Sequence, residues 1–270
     1  MSETTPMNKA IPWAIGIVLA AGVGTGFYFW QQKHTPGPDP APIAAAPAAP
    51  VPQAEPEAHY PAPQPPAAVA QALPELNASD RLMQDLVASL IGAEPLKKFL
   101  VTQEIVRHIV VTVDNLPRKT LALRLSPVNP VGGKFRTTGK EGNLAIAADN
   151  SARYLPYVRV AEAVNAKKLV AAYGSVYPLF QKAYEDLGYP KGYFNDRLVV
   201  VIDHLLATPE VKGPIALVTP HVQAEFADRE LEARSAGQKI LIRIGSENAA
   251  VIKAKLRELR RELTGQNPKQ

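Results

Sequence analysis

The chain has 270 residues, a formal net charge of +5, 26 prolines and no cysteine. A chain without cysteine can form neither disulfide bonds nor thiolate metal sites, and it suits an oxidising or a reducing compartment equally well. The small basic excess is not joined to any recognised nucleic-acid-binding motif, so the sequence gives no support for a nucleic acid partner.

The first notable stretch is Ile11–Trp30, a run of 20 residues without a charge. As a helix it would be roughly 30 Å long, which matches the hydrocarbon core of a bilayer. Trp13 and the block Phe27–Trp30 place aromatic rings near both ends, as is typical at membrane interfaces. We therefore expect a transmembrane helix after a tail formed by residues 1–10. A cleaved signal peptide is the alternative, and the aromatic block argues against cleavage.

Small residues recur on one face of this predicted span. Gly22 and Gly26 form a GxxxG pair, which lets two membrane helices approach closely, although such pairs also occur by chance. The pair raises the alternative of a homodimer that associates through the membrane helix.

The charges that flank the span nearly balance, so they do not decide its orientation. A short amino-terminal tail followed by a large exported domain favours the periplasmic side of a bacterial inner membrane.

A proline-rich tether follows the span over residues 31–73. The interval Pro36–Pro66 holds 12 prolines in 31 positions, which favours extended polyproline II and a disordered spacer. A polyproline ligand for a partner's groove is the alternative reading. We favour the spacer, because no positively charged residue lies between Pro36 and Ala72 to orient such docking.

The remaining chain predicts one globular domain over residues 74–264, with a short tail at 265–270. From Pro74 onward there are 28 Lys and Arg against 21 Asp and Glu, a net charge of 28 − 21 = +7. Helical apolar periodicity dominates, so the predicted fold class is α+β and mainly α. Expected helix caps are Ser79, Thr102, Asn195 and Asp228.

Two β-hairpins are expected within this helical domain. One pairs 135–138 with 143–147 across a glycine-containing turn, and the other pairs 215–219 with 222–226 across Pro220-His221.

Tyrosine is concentrated in the middle of the domain. Seven of the nine tyrosines lie between Tyr154 and Tyr193, and an apolar stripe runs from Leu169 to Leu187. Such a region is either a surface that binds sugars or a partner, or a core whose hydroxyls find hydrogen bonds at its rim, and we favour the core. The residues that we select as a candidate binding surface are Arg153, Tyr154, Tyr157 and Tyr177.

Two further candidates, Asp203 and His204, interrupt a predicted helix from Asp196 to Ala207 that is apolar on nearly every side. A carboxylate beside an imidazole would serve acid–base chemistry or metal binding. Neighbouring helical residues diverge by about 100°, so we favour structural hydrogen bonds for this pair.

Motifs of common enzymes are missing from the sequence. It contains no phosphate-binding loop, dinucleotide fingerprint, GxSxG elbow or HExxH helix, and no two of its five histidines stand at HxxxH spacing. We therefore expect no cofactor and no metal, and favour a non-enzymatic protein.

Several short motifs resemble a known family. They are Leu76-Asn77-Ala78-Ser79-Asp80, Val113-Asp114-Asn115-Leu116-Pro117, Arg153-Tyr154, Tyr177-Pro178-Leu179-Phe180, Ala183-Tyr184, Phe194-Asn195-Asp196-Arg197, Ile202-Asp203-His204-Leu205-Leu206 and Phe226-Ala227-Asp228. In this order, over about Pro74 to Leu263, they are similar to the bacterial family catalogued as Domain of Unknown Function 3014. The resemblance implies a membrane-anchored architecture and a Gram-negative origin. It implies no catalytic role, because the family has no assigned activity.

The resulting expectation is a single-pass inner-membrane protein whose periplasmic domain binds an envelope protein or a cell-wall component. An enzyme that acts on an envelope polymer, with Asp203 and His204 in its site, is one alternative. A structural assembly subunit that dimerises through Gly22 and Gly26 is the other.

Overall fold

The computed structural model describes residues 59–63, 72–140, 142–219 and 224–265. The predicted membrane span Ile11–Trp30, with Gly22 and Gly26, lies outside these residues. Within the described ranges, no helix has both the length and the apolar character needed to cross a membrane.

The described residues form ten α-helices and four short strands, so a mainly helical α+β fold is confirmed. The helices are α1 Asp80–Ile91, α2 Ala93–Phe99, α3 Ile105–Asn115, α4 Leu155–Ala163, α5 Ala166–Ser175, α6 Tyr177–Asp186, α7 Phe194–Leu206, α8 Arg229–Glu232, α9 Ala236–Arg243 and α10 Ser246–Thr264. The strands are β1 Thr137–Thr138, β2 Leu144–Ile146, β3 Ala216–Val218 and β4 Glu225–Phe226. Short 3₁₀ helices occur at Leu76–Ala78, Leu123–Leu125 and Ala148–Tyr154.

The four strands form one antiparallel sheet in the order β1-β2-β3-β4. Both predicted hairpins are confirmed, with Thr137 opposite Ile146 in the first and Leu217 opposite Phe226 in the second. The sequence did not predict their union, in which Leu144 of the first hairpin pairs with Leu217 of the second. This pairing buries Leu217 and Phe226 against Ile242 of α9.

Helix α7 lies at the centre of the domain. Phe194 belongs to one core cluster, Val199 and Ile202 to a second, and Val201 and Leu205 to a third. The near-continuous apolar sequence of α7 predicts this central position, because a helix with neighbours on several sides buries more than one face.

Much of the tyrosine-rich region forms part of the core, as we favoured. Tyr184 is buried, and its ring stacks on that of Tyr189 with centroids 4.5 Å apart. Phe180 stacks on Phe194 at 5.7 Å, and Tyr173 meets Phe180 edge-on at 5.3 Å. The predicted stripe is divided at Val176 into α5 and α6, because Pro178 suits only the first turn of a helix.

The predicted caps at Ser79 and Thr102 are wrong, and a longer-range contact takes the place of the second. Ser79 precedes α1, but its hydroxyl donates to Leu76 O at 2.7 Å and caps nothing. The start of α3 is capped by Asp80 instead of Thr102, since the Asp80 carboxylate accepts from the amides of Glu104 and Ile105 at 2.8 and 3.0 Å. The predicted Asp228 cap is confirmed, because its carboxylate accepts from two amides of α8.

Candidate functional site

A short piece of the proline-rich tether lies against the domain. The Asp196 carboxylate accepts from the backbone amide of His59 at 3.1 Å and from that of Tyr60 at 2.7 Å. These two donors precede Asp196 by more than 130 residues in the chain. The sequence predicts a spacer over residues 31–73, but within it His59, Tyr60 and Pro61 are hydrogen-bonded to the domain.

The neighbouring Asn195 side chain completes this recognition of the backbone. Its amide nitrogen donates to the carbonyl oxygens of Tyr60 at 3.0 Å and Pro61 at 3.3 Å. The prediction that Asn195 caps a helix is wrong, because α7 begins one residue earlier at Phe194 and the buried Asn195 side chain bonds the tether instead.

Close packing completes the contact, which we call the tether seat and define as His59–Pro63 against Gly174, Asn195 and Asp196. A Cβ atom on Gly174 would lie 2.6 Å from the carbonyl oxygen of Pro63, so only glycine permits this approach. Tyr60 packs against the core cluster that contains Val170, Val199, Ile202 and Leu263. The tether seat therefore recognises the main chain through polar groups and one side chain through apolar contact.

Next to the tether seat, the same helices line an apolar cavity of about 230 Å³. Its lining residues are hydrophobic or aromatic, and they come from α1, α3, α5, α6, α7 and α10. Tyr173 is one of them, and its hydroxyl is buried without a hydrogen-bond partner among the described residues. Burial raises the pKa of Tyr173 far above its usual value, so the hydroxyl stays protonated.

Arg153, Tyr154 and Tyr157 lie together, away from the cavity. Arg153 donates to the carbonyls of Gly132 at 3.2 Å and Gly133 at 2.8 Å, and its guanidinium lies 5.5 Å from the Tyr154 ring centroid. The Tyr157 hydroxyl donates to the backbone carbonyl of Asn129 at 3.2 Å. These contacts fix the loop that precedes the sheet.

Tyr177 lies elsewhere, at the start of α6. Its hydroxyl donates to the Gln181 amide oxygen at 2.9 Å, and that oxygen also accepts from the Phe194 amide at 2.9 Å. Burial is the main reason why the pKa of Tyr177 is raised. Tyr177 thus helps to position the start of α7.

The side chains of Asp203 and His204 point to different partners. Asp203 accepts from Arg260 of α10 at 2.5 and 3.0 Å. His204 Nε2 lies 2.8 Å from the hydroxyl of Ser235, which caps α9. The divergence expected for neighbouring helical residues is present, and both side chains make structural hydrogen bonds.

The pKa of His204 is lowered, first by burial and then by the positive charges of Arg197 and Arg234. The ring is therefore neutral at neutral pH and can accept the Ser235 hydroxyl proton. The same Ser235 oxygen accepts from the Gln238 amide at 3.2 Å. This arrangement stabilises the junction of α7 and α9.

A polar network that the sequence did not single out surrounds Asp114. This buried carboxylate accepts from Arg118 at 2.5 Å, from Arg197 at 3.0 Å and from the Tyr189 hydroxyl at 3.3 Å. Arg197 also donates to the Asp114 backbone carbonyl at 2.8 Å. The sequence does carry a signal for such a network. Asp114 follows Val110 and Val113 on the inner side of a helix that is otherwise apolar there, and a charged residue in that position needs polar partners.

The six predicted site residues therefore occupy separate places in the described part of the chain. Arg153, Tyr154 and Tyr157 support one loop, Tyr177 supports the start of α7, and Asp203 and His204 bond to two different helices. No group of three or more His, Cys, Asp or Glu side chains suited to a metal occurs in the ranges that the structure covers.

A wide cleft also opens beside the sheet, with a volume of about 870 Å³. Ile146, Leu155, Arg243 and Glu247 are among its lining residues. Its mixed polar and apolar walls give no chemical preference as specific as the tether seat or the apolar cavity.

Comparison with known proteins places the chain in a family. The family described as Protein of unknown function (DUF3014) matches residues 105–260, which is more than half of the chain. The chain belongs to this family. The match runs from the start of α3 into α10, so it includes Asn195 and Asp196 of the tether seat. No curated protein and no solved structure matches the chain.

Proposed function

We propose that this protein is a non-enzymatic binding module of the bacterial envelope, anchored in the inner membrane by Ile11–Trp30, and that its periplasmic domain binds a short, bent segment of polypeptide. The tether seat is the observation that carries the proposal. Asn195 and Asp196 bond only to main-chain groups there, so their part of the recognition depends on the bent backbone at His59 and Tyr60 more than on a particular sequence.

The main-chain bonds explain how a second polypeptide would fit. Two amides and two carbonyls of His59–Pro61 are satisfied by one carboxylate and one carboxamide, and any segment that bends in the same way offers the same groups. Apolar contact around Tyr60 adds a preference for an aromatic residue at the position of Tyr60. The chain's own tether occupies this position, so a partner must compete with it.

An enzymatic function has no geometric support of this kind. Asp203 is neutralised by Arg260, and His204 is engaged with the cap of α9. The homodimer through Gly22 and Gly26 stays a prediction from the sequence.

The test opens the tether seat and supplies a peptide from outside. In the full chain, Tyr60→Gly with Pro61→Gly weakens the internal segment, and a fluorescent peptide that copies residues 55–66 is then titrated by fluorescence anisotropy. We expect the opened protein to bind the peptide at least tenfold more tightly than the unaltered protein, because binding no longer requires displacement of the tether.

Two variants of the opened protein locate the binding. Gly174→Ala places a methyl group where the Pro63 carbonyl must lie, and Asp196→Ala removes the acceptor of two amides, so each should weaken peptide binding at least tenfold. Gly132→Ala is the matched control, because a Cβ there has open space. Equal peptide affinity in the opened protein, its Gly174→Ala and Asp196→Ala variants and its Gly132→Ala control would exclude the tether seat as a polypeptide site.

A further inference from the structure

The cavity beside the tether seat has the size and chemistry of a site for a hydrocarbon chain. Its volume of about 230 Å³ exceeds the roughly 150 Å³ of an engineered apolar cavity that stays dry and binds benzene. Scaling from the six carbons of benzene gives room for about nine carbons.

The shape of the lining favours a chain over a ring. On α1 the lining runs from Met83 to Leu90, which at 1.5 Å per residue extends roughly 10 Å along the helix axis. Leu259 and Leu263 of α10 also line the cavity, one turn apart. An alkyl chain is long and narrow enough to follow a lining of this length.

The lining carries no charged side chain, which excludes a ligand that buries an ion deep in this cavity. Tyr173 offers the one hydroxyl among the lining residues. This hydroxyl is buried away from the cavity surface, which is almost entirely apolar, so the polar head of a bound chain must lie at the mouth of the cavity.

We infer that the cavity between α1, α5, α7 and α10 binds an acyl chain of about eight to ten carbons, with the polar head of the chain at the mouth of the cavity. The cavity and the tether seat are neighbours, since Val170, Ile202 and Leu263 line the cavity and also pack against Tyr60. Binding of the acyl probe is measured without added peptide, so its failure is distinguishable from a failure of the proposed polypeptide site.

The experiment uses the full chain in lipid nanodiscs and radiolabelled decanoic acid as the probe. Bound decanoic acid is measured at equilibrium, and the amount taken up by empty nanodiscs is subtracted. We expect saturable binding of about one molecule per chain. Uptake equal to that of empty nanodiscs would overturn the inference.

Two substitutions fill the cavity. Ala172→Leu adds three carbons to a lining position and should weaken decanoic acid binding at least tenfold. Leu86→Phe, on the opposite wall, is the second variant if Ala172→Leu lowers the thermal unfolding temperature. Ala171→Leu is the matched control, because Ala171 is not a lining residue. Binding that is equally strong in both filled proteins and in the control would refute the site.

Competition with unlabelled compounds distinguishes a lipid from a free fatty acid as the source of the acyl chain. A lysophosphatidylcholine with a ten-carbon chain should displace the probe if the site draws the chain from a lipid. If only free decanoic acid displaces it, the site takes a free fatty acid. Displacement by neither compound would show that the measured uptake is not at this site.

Discussion

At the scale of single residues, the most informative side chains are polar ones whose surroundings differ from those of their neighbours. Asp203 and His204 are adjacent, yet one forms an ion pair with Arg260 and the other bonds to Ser235 inside the domain. Their separation shows why two reactive side chains next to each other in a helix do not make a site. Catalysis needs groups that converge on one atom, and helical neighbours point apart.

The lowered pKa of His204 predicts a pH dependence of stability. The ordinary pKa near 6.5 applies to the unfolded chain, and the folded pKa lies below it. The contribution of His204 to the free energy of unfolding is therefore complete above pH 6.5. It is lost as the pH falls through the folded pKa, because the unfolded state takes up the proton first.

The check is urea unfolding of the wild type and of His204→Gln at several pH values. As the pH falls from about 7 to about 5, the free energy of unfolding should decrease more steeply in the wild type than in the variant. Curves that stay parallel over this range would show that His204 does not titrate differently in the two states.

At the scale of helices, the domain depends on polar side chains that join one element to another. Asp80 on α1 accepts hydrogen bonds from the first amides of α3, and Asp114 near the end of α3 holds Arg197 of α7. Both contacts join different helices. Packing of apolar stripes alone would not align these helices, because apolar contact is not directional. They fix the relative positions of α1, α3 and α7.

Removing Asp114 should strongly destabilise the domain. Asp114→Ala leaves Arg197 and the Tyr189 hydroxyl without their shared acceptor, and loss of one member of a buried ion pair typically costs about 3 to 5 kcal/mol. We expect about 3 kcal/mol, since Arg197 is partly exposed and keeps its bond to the backbone at this position.

Urea unfolding followed by circular dichroism measures this loss. Asp85→Ala is the control, because Asp85 pairs with Arg81 on the exposed face of α1 and should contribute less than about 0.5 kcal/mol. A loss at Asp114 no larger than that at Asp85 would contradict a structural role for the network.

At the scale of the whole molecule, the tether seat changes what the proline-rich segment does. As a free spacer, residues 31–73 would separate the domain from the predicted span along their full length. With the main chain of His59–Pro61 bonded to Asn195 and Asp196, this part of the predicted spacer belongs to the folded domain.

The proposed orientation is tested by protease accessibility. A full chain with an epitope tag after Gln270 is expressed in a Gram-negative bacterium, and intact spheroplasts are treated with protease. We expect the tag to be lost while a cytoplasmic marker protein survives. A tag that is lost only after the inner membrane is lysed would place the domain in the cytoplasm and contradict the periplasmic proposal.

The sequence by itself determined the mainly helical fold class and the two hairpins, and Pro178 explains why the tyrosine-rich stripe divides into α5 and α6. Each of these depends on residues close in the chain, such as the glycines of the first hairpin turn or Pro178 in the first turn of α6. Local conformational preference and apolar periodicity are sufficient for elements of this kind.

Only the tertiary structure decided which distant residues meet. It joined the hairpins through Leu144 and Leu217, capped α3 with Asp80, and brought Tyr60 to Asp196 across 136 positions of the chain. It also left an apolar cavity between the packed helices. Such features depend on how folded elements fit together in three dimensions, which spacing along the chain does not specify.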